Sequence, residues 1–382
     1  MTGKGIRGKI SGVLRGFCLG VSEMPIVARF FGCIFLLLSF AVNPNYLTAQ
    51  ACTTPPANMV GWWPGDGNAN DLAGANNGKL MNGATFGKGY VGKAFTLNGT
   101  QYVDVKKAKP LNVSAGDFTV DAWVYFNSLS GLDQSMVDKM DDDLGLNSNG
   151  WRLINQAASD LFWFCLGGAG GSNGCTLGSS TTVISTTNVA AGTWYFVAGV
   201  KTSTQISMYV NGALQNTTAL GTFVDKNSTD LLFGAKDSND MEGAFLNGLV
   251  DEVELFDRAL AASEISAIYN AGHSGKCKVE VSLKPGELTF AAQAVGTTSP
   301  PQAVTLKNVS PNGGVLDIAS ISTTGDFAES NQCPASLNQG QECVIEVTFT
   351  PLSQGTLTGT LAVSDNGPNG LPQQVKLSGT GQ

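Results

Sequence analysis

The sequence predicts an all-β chain made of two successive β-sandwiches, and three observations carry that expectation. Gly makes up 48 of 382 residues and is accompanied by turn-rich runs of Asn, Ser and Thr, a mix that favours many strands joined by loops. The run FTVDAWVYF, residues 118–126, is largely apolar on both alternating faces, as in an inner strand of a two-layer sandwich. All six Trp lie between Trp62 and Trp194, and none follows Cys277. Aromatic weight therefore falls away near 272–278, which separates a first domain over 52–277 from a second over 278–382. High glycine also fits disorder, but six Trp and 19 Phe argue against it.

The chain opens on a targeting segment. Arg29 precedes FFGCIFLLLSFAV at 30–42, an apolar run too short to cross a bilayer comfortably. Ala49-Gln50-Ala51 then offers a small-x-small cleavage site, so 1–51 reads as a signal peptide that leaves Cys52 at the mature end. The stretch before Met24 is long for a signal's basic region, which makes Met24 a second candidate for the true start. A lipid-anchored Cys52 is the competing reading, though Ala49 and Gln50 fit the usual preceding pattern poorly. The mature chain is expected outside the cell, free or associated with its surface.

Beyond residue 51, 17 basic residues face 29 acidic ones. Such a surface repels nucleic-acid phosphate and tolerates divalent cations, so nucleic acid is not an expected partner. No second apolar run of spanning length follows, and no membrane span is expected in the mature chain. Cys18 and Cys33 fall in the leader, leaving Cys52, Cys165, Cys175, Cys277, Cys333 and Cys343. An even number in an exported chain points to disulfides. Many connectivities are open; the favoured set is Cys165–Cys175, Cys333–Cys343 and Cys52–Cys277, the last tying together the two ends of the first domain. Zinc is not expected, since no CxxC spacing occurs and His273 is the single histidine.

Within the first domain, residues 194–200 and 205–210 pair naturally as a hairpin, and Asn211-Gly212 supplies the next tight turn. The stretch 246–272 closes the domain. Along its strand, Leu249, Asp251, Val253 and Leu255 share one face by alternation, and Val250, Glu252, Glu254 and Phe256 share the other. Asp251 then sits in step with three aliphatics, where a carboxylate is costly unless a cation or several donors meet it. Residues 261–270 follow helical spacing through Leu260, Ile265, Ile268 and Tyr269, and Gly272 stands where a left-handed C-cap is expected.

Several motifs in this order carry a resemblance: GWWPGDGNANDLAGANNG (61–78), GKAFTLNGTQYVDV (92–105), FTVDAWVYF, WYFVAGV with ISMYVNGAL, and GLVDEVELFDRALAASEISAIYNAG. Together they resemble the laminin-G-like jelly roll of the concanavalin A-like lectin/glucanase superfamily over about 58–272. Ala261 departs from the pattern, since the family usually has Ser or Thr as N-cap before Glu264. Loss of that hydroxyl costs on the order of 1 kcal/mol and leaves the fold intact. In the second domain, 288–290, 303–308, 344–350, 359–364 and 375–377 alternate apolar and polar residues, punctuated by Pro351, Gly355, Asn366-Gly367 and Asn369-Gly370. Cys-x9-Cys-x-Ile-x-Val-x-Phe-x-Pro (333–351) is the most specific piece of a likeness to an immunoglobulin-like sandwich of the choice-of-anchor D, ASPM/hydin-like type. The expected fold is thus a jelly-roll β-sandwich followed by a smaller immunoglobulin-like β-sandwich.

For chemistry, the one histidine lies in an Ala-Gly-His-Ser-Gly link and reads as a solvated linker residue, which leaves no base for a Ser-His-Asp or Cys-His arrangement. Glycoside hydrolysis needs only two carboxylates about 5–10 Å apart. Glu252 and Glu254, two positions apart on one face, stand about 7 Å from each other along a strand. The surrounding motif resembles the non-catalytic family, so no enzyme activity is expected. A metal site is the better candidate. Asp66, Asn68, Asp71 and Asn77 crowd a Gly-rich loop, and calcium takes six to eight such hard oxygens. The resemblance places this loop near the closing strand. It implies one structural Ca²⁺ held by Asp71, Asp251 and loop oxygens, with Asn77 or Asp66 as lesser ligands, against the plainer reading that these residues cap turns.

The run 138–143, DKMDDD, reads as a solvated loop. Trp62, Trp63 and Trp163 are candidates for stacking on sugar rings, though burial explains most Trp. Trp62 and Trp63 would point to opposite faces of an extended segment. Asn98, Asn216 and Asn227 begin Asn-x-Ser/Thr sites that matter in a glycosylating host. The leading expectation is a secreted, non-catalytic recognition or adhesion protein that binds carbohydrate or extracellular protein through loops at one rim of the jelly roll. A structural cell-surface or matrix component without a discrete ligand is the alternative, and a glycan-cleaving enzyme is the third. Neither the ligand, its contact residues nor the oligomeric state follows from the sequence.

Overall fold

The computed structural model of the protein describes residues 52–113, 115–129, 131–141, 149–167, 175–221, 229–238, 241–367 and 372–382. The leader at 1–51, Asp142, Asp143 and Asn227 lie outside them. The described residues are all-β apart from one short α-helix and two single-turn 3-10 helices. In the first domain two sheets face each other. One runs, in spatial order, Ala213–Ala219, Gln205–Val210, Trp194–Lys201, Phe118–Phe126, Asn247–Phe256, Lys93–Asn98 and Thr85–Lys88, and Met59–Trp63 also pairs with Asn247–Phe256. The other runs Thr182–Asn188, Leu161–Leu166, Asn149–Gln156, Gln134–Asp141, Leu231–Phe233, Tyr102–Val105 and Gly78–Met81.

The central strand Phe118–Phe126 explains why both of its faces are apolar. Val120, Ala122 and Val124 enter the core between the sheets, with Trp63, Phe95, Trp151, Phe164 and Phe233. Trp123 emerges on the back of its sheet, where the helix Ala262–Asn270 covers it together with Phe196, Phe256, Ile265 and Ile268. Side chains of this size each gain about 1.5–3 kcal/mol from full burial, which explains how so short a helix is held. Its cap is incomplete as expected, because Ala261 offers no side-chain acceptor. Glu264 compensates in part: its carboxylate accepts from the Ala261 N–H at 2.9 Å and is gripped by both terminal nitrogens of Arg258 at 2.8 and 2.6 Å. Gly272 follows in the left-handed region at φ 56°.

Trp194–Lys201 and Gln205–Val210 form the expected hairpin. Asn211 and Gly212 both have positive φ, 51° and 75°, as a tight turn matched to strand twist requires. A side chain at Gly212 would also meet the ring of Tyr269 at 2.9 Å. Gly248 marks a closer approach, since a Cβ there would lie 1.9 Å from the carbonyl oxygen of Tyr125 on the neighbouring strand.

The closing strand corrects the expected alternation. A β-bulge falls between Asp251 and Glu254, and Glu252 adopts φ 51°. Val250 before the bulge and Val253 and Leu255 after it all face the core, so the inward face switches parity. Asp251 is therefore not among the core aliphatics; it lies outside the core with Glu254. A second correction concerns 138–143. Asp138 and Lys139 belong to the strand Gln134–Asp141 and are buried, with Asp138 ion-paired at 2.6 Å to Arg152 of the adjacent strand. A charge run viewed alone hides a partner 14 residues away.

The second domain is a smaller sandwich. One sheet runs Val281–Lys284, Gln302–Asn308, Glu342–Phe349, Phe327–Asn331; the other runs Glu287–Thr289, Gln373–Gly381, Gly355–Asp365, Leu316–Thr323, Ser336–Leu337. Its core gathers Leu288, Phe290, Val304, Leu306, Ile345, Val347, Phe349, Leu361, Val363 and Val375. The three favoured disulfides are all present, Cys52–Cys277, Cys165–Cys175 and Cys333–Cys343.

Candidate functional site

Two places on the first domain concentrate polar residues, one at each end of the strand Phe118–Phe126. The first is a buried charge cluster beside the second domain. Trp62 of Met59–Trp63 faces outward, Trp63 inward. The Trp62 indole N–H donates to Glu252 Oε2 at 2.8 Å. Glu254 lies opposite Asp121 across the strand pair. Over these acids runs a strap, residues 272–278, that follows the helix. Lys276 Nζ contacts Glu254 Oε1 and lies 3.1 Å from Glu252 Oε2, with the Trp62 ring centroid 5.0 Å away. Lys278 Nζ reaches Glu252 Oε1 at 2.6 Å and Asp66 Oδ2 at 2.5 Å.

Burial shapes the acid–base character of this cluster. Asp121 is pushed well above the usual carboxyl range, by desolvation first and then by the charge of Glu254. Desolvation likewise raises Glu254 to about 7, with Lys276 opposing. Desolvation acts on Glu252 too, but Lys276 and Lys278 outweigh it and hold that carboxyl below its ordinary value. The same acids keep Lys276 charged against the cost of its burial. Glu252 and Glu254 are at most 1% exposed. As a glycosidase pair they are sealed from any substrate and bound to ammonium groups.

The strap is anchored on both sides. Cys277 is bonded to Cys52, and Thr53 exchanges backbone hydrogen bonds with Gly275 and Cys277 at 2.9 and 2.8 Å. Asn312 of the second domain accepts from the Lys278 N–H at 2.8 Å and donates to the Lys276 carbonyl at 2.5 Å. His273 is exposed, as expected of a linker residue, and its Nδ1 lies 2.5 Å from the Tyr90 carbonyl oxygen.

The residues expected to hold calcium fall at this end but do not converge on one point. Asp71 is fully buried and already met by N–H donors. Its Oδ1 accepts from Trp62, Ala73 and Gly74, and its Oδ2 from the backbone and side chain of Asn76. Asn77 Oδ1 accepts from the Asp71 N–H at 2.9 Å. Asp66 accepts from Lys93 N–H and pairs with Lys278. Asp251 Oδ2 accepts from Val91 N–H at 2.8 Å, while its Oδ1 is buried without a hydrogen-bond partner. Desolvation, followed by Glu252, pushes Asp251 well up. Donors pointing into Asp71 already meet both of its carboxylate oxygens. Among the described residues no group of three or more His, Cys, Asp or Glu is placed to hold a metal ion.

The second place is an open cleft at the opposite rim, about 770 Å³, between residues 131–133, 156–158 and 244–247. Leu132 is 71% exposed there, and Phe245, Asp133, Gln156, Lys236 and Asn247 share the lining. Asp133 Oδ1 braces the wall by accepting from Ala157 N–H at 2.9 Å. Ala244 holds φ 44°, a conformation that costs a residue with a Cβ roughly 1 kcal/mol, while its carbonyl accepts from Ser135 N–H at 2.8 Å. Backbone strain of this kind gathers at binding sites. No sequence motif marked this cleft; the exposed Leu132 beside Gly131 is the one local signal. The three Trp weighed for sugar stacking are instead packing residues, with Trp62, Trp63 and Trp163 at 5%, 0% and 5% exposure.

A jelly roll bearing one capping helix and followed by an immunoglobulin-like sandwich defines the class of this protein. Residues 97–266 match the laminin-G family model described as concanavalin A-like lectin/glucanases superfamily. Residues 279–371 match the family described as abnormal spindle-like microcephaly-associated, ASPM-SPD-2-Hydin. No curated protein matches the chain. Among solved structures, domain 4 of AbnA, a GH43 extracellular arabinanase from Geobacillus stearothermophilus, in complex with arabinotriose, is 16% identical. That match covers 55% of this chain and 97% of the other, with a TM-score of 0.41. Trypanosoma rangeli sialidase in complex with sialic acid is 19% identical over 58% of this chain and 36% of its own, at 0.42. The binding domain of botulinum neurotoxin DC in complex with rat synaptotagmin II is 12% identical over 80% and 73%, at 0.45.

Proposed function

We propose that this is a secreted, non-catalytic recognition protein that takes carbohydrate or an extracellular protein into the cleft at the free rim, with the second sandwich as a fixed spacer. The cleft carries this reading. Its volume and its mixture of an exposed aliphatic, an aromatic and a few hydrogen-bonding groups are those of ligand sites, and it lies at the end of the jelly roll away from the second domain. Three disulfides support an oxidising environment outside the cell. Among the described residues no helix is long and apolar enough to cross a membrane.

A glycan array and a panel of extracellular proteins, probed with wild type, Leu132→Asp and Gln156→Ala, test the reading. Binding weakened about tenfold or more by Leu132→Asp, roughly 1.4 kcal/mol, supports it. Binding unmoved by both substitutions places the ligand elsewhere, and reducing-sugar release from a bound glycan makes the protein an enzyme. Calcium is a separate proposal, with Asp71 and Asp251 as its first ligands. A melting temperature raised by CaCl₂ and lowered again by EDTA supports it, whereas an unchanged one removes it.

A further inference from the structure

The charge cluster beside the second domain contains an amine and a carboxyl held in contact, with the carboxyls of Glu252 and Asp121 next to them and all four residues at most 1% exposed. We propose that Lys276 and Glu254 condense to an intramolecular amide, which cross-links the strap at 272–278 to the strand Asn247–Phe256. The site is distinct from the ligand cleft and does not depend on how that cleft is used.

Three features make the two side chains reactants and not only an ion pair. They are pre-positioned: Lys276 is fixed by the neighbouring Cys52–Cys277 disulfide, by the Thr53 backbone bonds and by Asn312, while Glu254 is set by two flanking strands. Intramolecular placement of this kind is worth effective concentrations of up to about 10⁵–10⁸ M. They are dry, at 1% and 0% exposure, so the water released on condensation is not held at the site to reverse it. They also have a neighbouring acid. Asp121 is fully buried opposite Glu254, and neither of its oxygens meets a hydrogen-bond donor. Burial, and then the charge of Glu254 beside it, raise its proton affinity above that of an ordinary carboxyl, which suits it to pass a proton to and from the Glu254 carboxyl.

The step balances without any outside reagent. The ammonium, which the surrounding acids hold in its charged form, passes one proton uphill to the Glu254 carboxylate, which burial has made a better base than usual. The neutral Nζ then attacks Cδ, and the N–C bond forms. Asp121 gives its proton to the departing oxygen and regains one from the nitrogen of the tetrahedral adduct. The C–O bond breaks and one water leaves, carrying one hydrogen from the ammonium and the one given by Asp121, which the adduct nitrogen has replaced. The product replaces a buried ion pair, which is weakly stabilising at best, by a neutral amide.

Intact mass spectrometry of the purified, reduced and denatured protein tests the proposal. The expected mass is one water below that of the chain whose ends a peptide digest fixes. The same digest should yield a branched peptide joining the segments around Glu254 and Lys276 that dithiothreitol does not split. Lys276→Arg and Asp121→Ala should each restore the missing water. A folded wild-type protein at full mass, with both segments recovered as linear peptides, overturns the proposal even if neither variant folds.

Discussion

At the end of the jelly roll next to the second domain, Asp121, Glu252, Glu254, Lys276 and Lys278 are all less than a tenth exposed. Beyond the other end of Phe118–Phe126, whose last residue lies roughly 17 Å along the strand from Asp121 at about 3.3 Å per residue, Leu132 stands 71% exposed over an open cleft. One rim hides charge and the other shows an aliphatic, an inversion of the usual placement. The inversion separates two tasks. Charges removed from water must be matched to one another in fixed directions, which ties the strap, the closing strand and Asn312 into one arrangement. An apolar group left in water gains by being covered, which is what a ligand does. The first rim ties the jelly roll to the second domain through Lys278 and Asn312, and under the function proposed above the second is the one that meets a partner.

The largest expected effect breaks the first rim. Lys276→Met removes the Nζ that both Glu252 and Glu254 meet and leaves buried acid without it, which should cost about 3–5 kcal/mol in urea-induced unfolding. An equally stable variant would mean that water enters the cluster freely, and the contrast between the rims would fail.

This cluster was only half legible in the sequence. Alternation put Glu252 and Glu254 on one face, and both do meet Lys276, but it placed Asp251 wrongly among the core aliphatics. It could not show the bulge that turns Asp251 away from the core, because Glu252 has no glycine-like signature at its positive φ. Lys276 and Lys278 sit in what reads as a linker, and their partners lie 22 residues or more away in sequence. The strands of the first domain and the disulfides were readable because periodicity and cysteine pairing are local or few in number. In the second domain Leu316–Thr323 escaped notice because its residues are mostly exposed and small. The free-rim cleft has no motif at all, since three separate loops build it.

A smaller effect sharpens the comparison through pH. Asp251 binds its proton more tightly in the folded chain than its ordinary value of 3.8. The folded state therefore holds more protons than the unfolded one above that pH. The stabilisation is fully present below about 3.8 and is lost as pH rises through the folded value. Asp251→Asn keeps the shape and an oxygen for the Val91 N–H, and it cannot ionise. It should melt higher than wild type at pH 7 and show a flatter decline between pH 4 and 7 by calorimetry. A variant that melts lower at pH 7 would mean that the Asp251 charge is stabilised there, by a cation or otherwise.

The smallest expected change in stability belongs to the free rim, and its smallness is the point. Leu132 is largely in water, so Leu132→Asp removes little buried surface and should shift unfolding by no more than about 0.5 kcal/mol. The same substitution puts a carboxylate into the cleft that Phe245 also lines, where a ligand would cover an aliphatic, and a charge buried there without a partner is costly. Loss of binding without loss of stability is thus the signature of a residue kept for contact. If Leu132→Asp instead lowers the melting point as Lys276→Met does, Leu132 packs within the protein, and the cleft is not the surface that meets a partner.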